Sequence, residues 1–202
     1  MTQAQIIMRK KQFIKEEIDR MLPRQQSDLL WKQATARLDR LLRKYADIPK
    51  GEHFHTDSYI FPSAAIYLTA KKYLPQEQAY AIIEDAAIRN SSRAGKKIAA
   101  MMRLPFMRDI FIRVWDPLTH FAFGQSSGFQ NRFYPKKKGE YRMDVLACPY
   151  CKYFTELHCF ELTKIFCEND ERCYGDLPGV IFARTGTLGK GADCCDFCLK
   201  KA

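Results

Sequence analysis

Apolar side chains recur at helical spacing along roughly the first 120 residues of the chain. Residues 3–22 carry one apolar stripe, and Pro23 ends the predicted helix because proline removes a helical donor. Ser27 is predicted to be the N-cap of a second helix. The same pattern predicts three further helices, over residues 62–74, over residues 75–103, and from Pro105 onward.

The pattern changes after residue 122. Residues 123–141 are rich in Gly, Ser and Lys and are predicted to form a long loop. The remaining segments predict a strand at 142–148, a helix at 153–170, a turn at 176–179, and strands at 179–185 and 194–201. The sequence therefore predicts an α+β fold. We expect a helical body over residues 1–122 and a cysteine-rich lobe over residues 123–202, with a small antiparallel sheet, one packed helix, and a core continuous with the body.

The cysteines are unevenly distributed. All eight lie in the last 55 of the 202 residues. The first residues lack the apolar run of a signal peptide, and no stretch approaches the length of a membrane span, so we expect a cytoplasmic protein. Thiols remain reduced in that compartment, which argues against a framework of disulfides.

The net charge is +10, and the first 150 residues, with 26 basic against 15 acidic side chains, carry all of it. The basic residues are interleaved with acids, and the tightest basic run is Lys136–Lys138. Solvated helix faces account for this pattern better than a nucleic-acid surface does. Nucleic acid is therefore an unlikely partner.

Two CxxC units could bind a metal ion. Cys148 and Cys151 form the first, and Cys195 and Cys198 form the second. This spacing is common at zinc sites, but the 43 residues between the units exceed the usual separation in a zinc ribbon. A zinc or iron–sulfur site on these four cysteines is kept as the alternative to a metal-free site. His53 and His55 form an HxH pair that is predicted to lie in a solvated loop.

A second group of residues is suited to nucleophilic chemistry. Cys167 and Asp170 are three residues apart and project from one helical face. Strand alternation places Cys195 and Asp196 on opposite faces of the last strand. Arg184, in the preceding strand, is a natural partner for Asp196. The pair is either a structural ion pair or part of a site where Arg184 holds a carboxylate and a cysteine attacks.

The segment CPYCKYFTELHCFELTKIFCENDERCYGDLPGVIFARTGTLGKGADCCDF resembles the L-2-amino-thiazoline-4-carboxylic acid hydrolase family. The resemblance rests on the order of its marks: Cys148-Pro149, Cys167-x-x-Asp170, Arg184-Thr185, Thr187-Leu188, Gly191 and Cys195-Asp196-Phe197. It covers roughly the last 55–60 residues. Cys151, Cys173, Cys194 and Cys198 are not part of the family's pattern.

The resemblance implies a hydrolase that opens a cyclic isothiourea-like ring by adding water at the carbon between nitrogen and sulfur. It also implies that Cys167, Asp170, Arg184, Cys195 and Asp196 form the site. A thiolate can add to an amidine carbon, an acid can protonate the departing atom, and Arg184 can bind the carboxylate of a small-molecule substrate. No cofactor is needed for this chemistry.

The identity of the nucleophile is left open between two thiols. We favour Cys195 slightly over Cys167, because Cys195 lies beside Asp196 and a Gly-rich turn with free backbone N–H groups. All five site residues are expected to face one buried pocket. Because side chains alternate along a strand, Asp196 should point away from a pocket that Cys195 faces. Only a bulge, or a site at the end of the strand, would allow both side chains to reach one pocket. A metal-binding module with a regulatory or ligand-binding role is the rival function, and the sequence gives no indication of the oligomeric state.

Overall fold

The computed structural model describes residues 1–135 and 137–202, so Lys136 of the basic run lies outside the described residues. Three helices open the chain: α1 (Gln3–Arg9), α2 (Gln12–Met21) and α3 (Arg24–Lys44). The single helix predicted over residues 3–22 is wrong, because the Lys10 N–H closes α1 on the carbonyls of Ile7 and Met8. The turn allows α1 to bury Ala4 and Met8 while α2 buries Ile14 and Ile18.

Ser27 is not an N-cap. Helix α3 begins three residues earlier, immediately after Pro23, and Ser27 is buried in its first turn. The Ser27 hydroxyl donates to Asp19 of α2, and the Lys15 ammonium bonds both side chains. The serine therefore joins two helices instead of starting one.

The helical structure before residue 62 was not predicted. A short helix α4 (His53–His55) continues through a π-helical turn (Thr56–Ile60) into α5 (Phe61–Ala70), although the sequence predicted a loop around His53 and His55 and a helix start at residue 62. Helix α5 is buried on almost every side, so its sequence lacks the apolar and polar faces from which the start of an amphipathic helix is recognised. Two helices predicted from the sequence follow, α6 (Gln76–Met102) and α7 (Met107–Ala122).

The C-terminal part contains the elements β1 (Gln130–Phe133), β2 (Glu140–Ala147), α8 (Pro149–Glu156), α9 (Leu162–Tyr174), β3 (Val180–Ala183) and β4 (Cys195–Lys201). Strand β1 lies in the predicted loop. The helix predicted over residues 153–170 is two helices, separated at His158, which has a positive φ of 54°. Helix α9 also runs one turn beyond Asp170 and ends at Gly175.

The four strands form one antiparallel sheet in the order β1-β2-β4-β3. The α+β fold class is confirmed, and the described residues of the C-terminal part form one strand and one helix more than expected. Strand β4 lies between β2 and β3, and its Cys195 is opposite Val145 while its Cys198 is opposite Ala183. The small antiparallel sheet expected from the sequence is therefore present, and the last two strands are neighbours in it.

One buried cluster contains apolar side chains from the N-terminal helices and from the sheet, including Trp115 of α7, which stacks on Phe197 of β4 at 5.8 Å between ring centroids. The division of the chain at residue 122 remains a prediction. Helix α2 is joined to α6 by buried Glu17, whose carboxylate is 2.5 Å from the Arg89 guanidinium. Among the residues that the structure describes, no helix combines the length and apolar character needed to cross a membrane.

Helices α6 and α9 approach closely at Gly95, where an added Cβ would lie 2.7 Å from the Arg172 carbonyl oxygen. Gly95→Ala is expected to lower the free energy of unfolding by roughly 1–3 kcal/mol, because the extra methyl overpacks the contact. Urea denaturation measures the change. In an uncrowded helix the same substitution stabilises by about 1 kcal/mol, so an increase in stability would contradict this packing.

Candidate active site

A cavity of about 350 Å³ lies between α7, β2, α9 and β4. Its walls are mainly aromatic, with contributions from Phe54, Trp115, Phe123, Phe129, Tyr150 and Phe166. Polar side chains are concentrated on α9 and the adjoining strand ends, where Cys148, Cys167, Asp170, Arg184 and Cys195 line the cavity. A small cavity with apolar walls and a few convergent polar groups is typical of a site for a small molecule.

The Cys167 and Cys195 thiols both line the cavity and interact strongly enough to shift each other's pKa. The hydrogen bond from Cys195, together with the Gly189 N–H and the Thr187 hydroxyl, lowers the pKa of Cys167 to about 6. The pKa of Cys195 is raised, because its thiol donates to Cys167 and is itself partly buried. The pair therefore shares one proton near neutral pH, with the negative charge on Cys167 and the proton on Cys195.

The turn that follows β3 supplies hydrogen-bond donors to both sulfurs. A 3-10 turn (Leu188–Lys190) directs the Leu188 N–H to the Cys195 sulfur at 3.2 Å. Gly189 approaches so closely that an added Cβ would lie 2.9 Å from the Cys167 sulfur. Glycine is required here because any side chain would push the backbone donors away from the thiolate.

Arg184 follows β3 directly and joins it to α9. Its guanidinium donates to the Asp170 carboxylate at 3.0 Å and to the Cys167 carbonyl oxygen at 2.6 Å, and only 7% of its side chain is exposed. Burial raises the pKa of Asp170 to about 6 against the opposing effect of Arg184. Asp170 is also among the residues that line the cavity. A carboxyl group that is partly protonated near neutral pH can act as an acid toward a ligand there.

A model of the L-2-amino-thiazoline-4-carboxylic acid hydrolase family matches residues 53–199, well over half of the chain. The chain belongs to this family. The match confirms the resemblance seen in the C-terminal residues and extends it upstream to α4. It includes all the polar residues named above as lining the cavity. Comparison with curated proteins and with solved structures gave no match.

In this hydrolase-family chain Asp196 lies outside the cavity, contrary to the expectation that five residues share one pocket. No bulge interrupts its register in β4, so its side chain points away from Cys195. The Asp196 carboxylate accepts hydrogen bonds from the N–H groups of Thr185 and Gly186 and from the Thr185 hydroxyl. The expected Asp196–Arg184 pair is also wrong, because Arg184 bonds Asp170 of α9 instead.

The four cysteines of the alternative metal site are not brought together. Cys148 and Cys195 line the cavity, whereas Cys198 lies on the opposite face of β4 from Cys195. Over residues 1–135 and 137–202, no three His, Cys, Asp or Glu side chains are placed to hold a metal ion. The HxH pair is also divided, because His53 contacts Asp57 while His55 turns inward.

His55 is a cavity residue that the sequence analysis placed in a solvated loop. It is 2% exposed, its Nε2 donates to the Ala122 carbonyl oxygen at 2.6 Å, and its Nδ1 accepts from the Tyr150 hydroxyl at 3.1 Å. Burial lowers the pKa of His55, so the ring is neutral near pH 7. The apolar run immediately downstream was the one signal in the sequence that this segment is buried.

Asp196→Asn is expected to lower the free energy of unfolding by roughly 1–3 kcal/mol at neutral pH, since the turn loses a charged acceptor. Burial opposes ionisation of Asp196, but hydrogen bonds from Gly186 and Thr185 outweigh it and lower its pKa. The stabilisation is thus present above the ordinary Asp pKa and is lost as the pH falls through the lowered value. The difference in free energy of unfolding between the wild type and Asp196→Asn should therefore become smaller as the pH falls.

Urea denaturation across this pH range measures the effect, with Asp193→Asn at an exposed neighbouring position as the matched control. If the difference in free energy of unfolding stayed constant from neutral to acidic pH, the ionised Asp196 carboxylate would not be what stabilises the turn.

Proposed function

We propose that the chain hydrolyses a small cyclic isothiourea-like carboxylate of the 2-amino-thiazoline-4-carboxylate type, with Cys167 as the nucleophile. The observation that carries the proposal is the contact between the Cys167 and Cys195 thiols, which favours the thiolate of Cys167 at the polar end of an aromatic cavity. This assignment reverses the sequence-based preference for Cys195, whose role becomes that of a hydrogen-bond donor to Cys167.

The proposed reaction begins when the Cys167 thiolate adds to the ring carbon that is bonded to both nitrogen and sulfur. The carbon–nitrogen bond of the ring then breaks, and Asp170 gives its proton to the departing nitrogen. A water molecule next adds to the same carbon and loses a proton to the Asp170 carboxylate. Cys167 then departs as a thiolate while the hydroxyl proton passes to the freed nitrogen, which leaves a carbonyl group and an amine on the ring-opened product, so one water is consumed and the enzyme is regenerated.

Arg184 is the basic side chain that lines the cavity in the described part of the chain, which supports its role in holding the substrate carboxylate. Its guanidinium is already bonded to Asp170 and to the Cys167 carbonyl oxygen. If a substrate carboxylate replaced Asp170 as the partner of Arg184, Asp170 would lose its ion pair with the guanidinium. The pKa of Asp170 would then rise further, and binding would place a proton on the acid that the next step needs.

Cys167→Ser is expected to reduce turnover of 2-amino-thiazoline-4-carboxylate by at least about 100-fold, because a serine hydroxyl in this setting stays protonated. Cys195→Ser keeps a donor to Cys167 and should retain a substantial part of the activity. Cys198→Ser, on the other face of β4, is the matched control and should behave as wild type. Steady-state assays and melting temperatures separate chemistry from folding, and full activity in Cys167→Ser would exclude a Cys167 nucleophile.

The pH dependence of kcat/KM should be bell-shaped with a maximum near pH 6. The acid limb follows ionisation of Cys167, whose pKa is about 6, and the alkaline limb follows loss of the proton from Asp170, whose pKa is also about 6. Asp170→Asn should lower the rate roughly 100-fold or more and remove the alkaline limb. Glu171→Gln, at an exposed position beside Arg184, is the control. Persistence of the alkaline limb in Asp170→Asn would assign it to another group.

A further inference from the structure

Cys148 and Cys151 lie at the junction of β2 and α8. Cys148 is the N-cap of α8, Pro149 is its first residue, and Cys151 lies in the first helical turn. The Lys152 N–H closes this turn on the Cys148 carbonyl oxygen at 3.1 Å. A strand that leads into a CxxC at a helix N-terminus brings the two cysteines onto adjacent positions of the same turn.

The two thiols lie three residues apart on one turn, where each influences the ionisation of the other, and each is partly accessible. The hydrogen bond from Cys148 lowers the pKa of Cys151, whereas donation to Cys151, and burial, raise the pKa of Cys148. The N-terminal end of α8 also favours a negative charge in its first turn. Cys151 is therefore the better nucleophile of the pair, and Cys148 is adjacent to it as a second thiol.

Neither the proposed hydrolysis nor a metal ion accounts for this pair. Cys151 lies outside the marks that connect the chain with its family, and it is not among the cavity residues. No third ligand joins Cys148 and Cys151 within residues 1–135 and 137–202. We propose that Cys148 and Cys151 form a redox-active dithiol that is converted reversibly into a disulfide by low-molecular-weight disulfides.

The exchange proceeds in two steps. The Cys151 thiolate attacks one sulfur of the small disulfide, which gives a mixed disulfide on Cys151 and releases one small thiolate. Cys148 then attacks the Cys151 sulfur, and its proton passes to the second small thiol as that thiol departs. The protein loses two electrons and the small disulfide gains them, so a reducing thiol in excess reverses both steps.

The location of the pair connects this chemistry with the cavity. Cys148 lines the cavity, and the charge on Cys167 is close enough to oppose ionisation of Cys151. Oxidation of the pair would replace a free thiol in the cavity wall by a disulfide. Formation of that disulfide is independent of any hydrolytic activity and can be measured without a substrate.

The test is a redox titration of the reduced full-length protein with mixtures of glutathione disulfide and glutathione. Remaining thiols are alkylated with iodoacetamide, and mass spectrometry of peptides identifies the linked cysteines. The disulfide between Cys148 and Cys151 is expected to form before the other six cysteines are oxidised, and to disappear with excess glutathione. Preferential formation of a Cys167–Cys195 disulfide, or alkylation of both Cys148 and Cys151 throughout, would overturn the proposal.

Variants test the order of the two steps. Cys148→Ser should accumulate a mixed disulfide with glutathione on Cys151, because the second thiol is missing, whereas Cys151→Ser should leave Cys148 mostly unmodified. Cys173→Ser, at a half-buried position on α9, is the matched control and should titrate as wild type. The wild-type titration stays decisive if either variant fails to fold. Repeating it in Cys167→Ser separates this site from the proposed nucleophile, because the Cys148–Cys151 disulfide should still form there, and more readily, since the charge that opposes ionisation of Cys151 is removed.

Discussion

The contacts of Arg184 with α9 determine the geometry of the candidate site. A guanidinium that is almost fully buried needs partners for its charge and its N–H groups, and here Asp170 and the Cys167 carbonyl oxygen provide them. Because Arg184 directly follows β3, these bonds fix the helix against the sheet at the level of Cys167. The thiol of Cys167 thereby faces β4 instead of solvent. Loss of this contact would leave an unpaired buried charge and would also release the thiol pair.

Two thiol pairs in this chain follow the same physical principle. In each pair one cysteine donates a hydrogen bond and has a raised pKa, while its neighbour accepts the bond and has a lowered pKa. Nearby backbone N–H groups stabilise the acceptor: the turn around Gly189 does so for Cys167, and the start of α8 can do so for Cys151. At both places the ionised form of one cysteine is therefore favoured by its partner thiol and by backbone N–H groups.

The N-terminal helices support the site from a distance. Helices α1 to α3 precede the range that the family model matches, and none of their residues lines the cavity. They are joined to the matched part by the Glu17–Arg89 ion pair and by packing of α3 on α5. The π-helical turn next to α5 brings His55 to the cavity, where its two ring nitrogens bond α7 and α8. The scaffold thus determines the aromatic end of the cavity, and the sheet determines its polar end.

The sequence by itself determined the α+β class, the long helices α6 and α7 and the small antiparallel sheet. It also identified five site residues, four of which line the cavity. Those features follow from periodicity and from the order of the marks along the chain, which are local properties. Tertiary structure alone decided that α1 and α2 are separate, that Ser27 joins two helices, and that His55 is buried, because each depends on which distant surface the segment packs against. It also decided the partner of Arg184. Alternation along β4 already placed Asp196 away from Cys195, but only the position of α9 showed that Asp170, and not Asp196, neutralises the guanidinium.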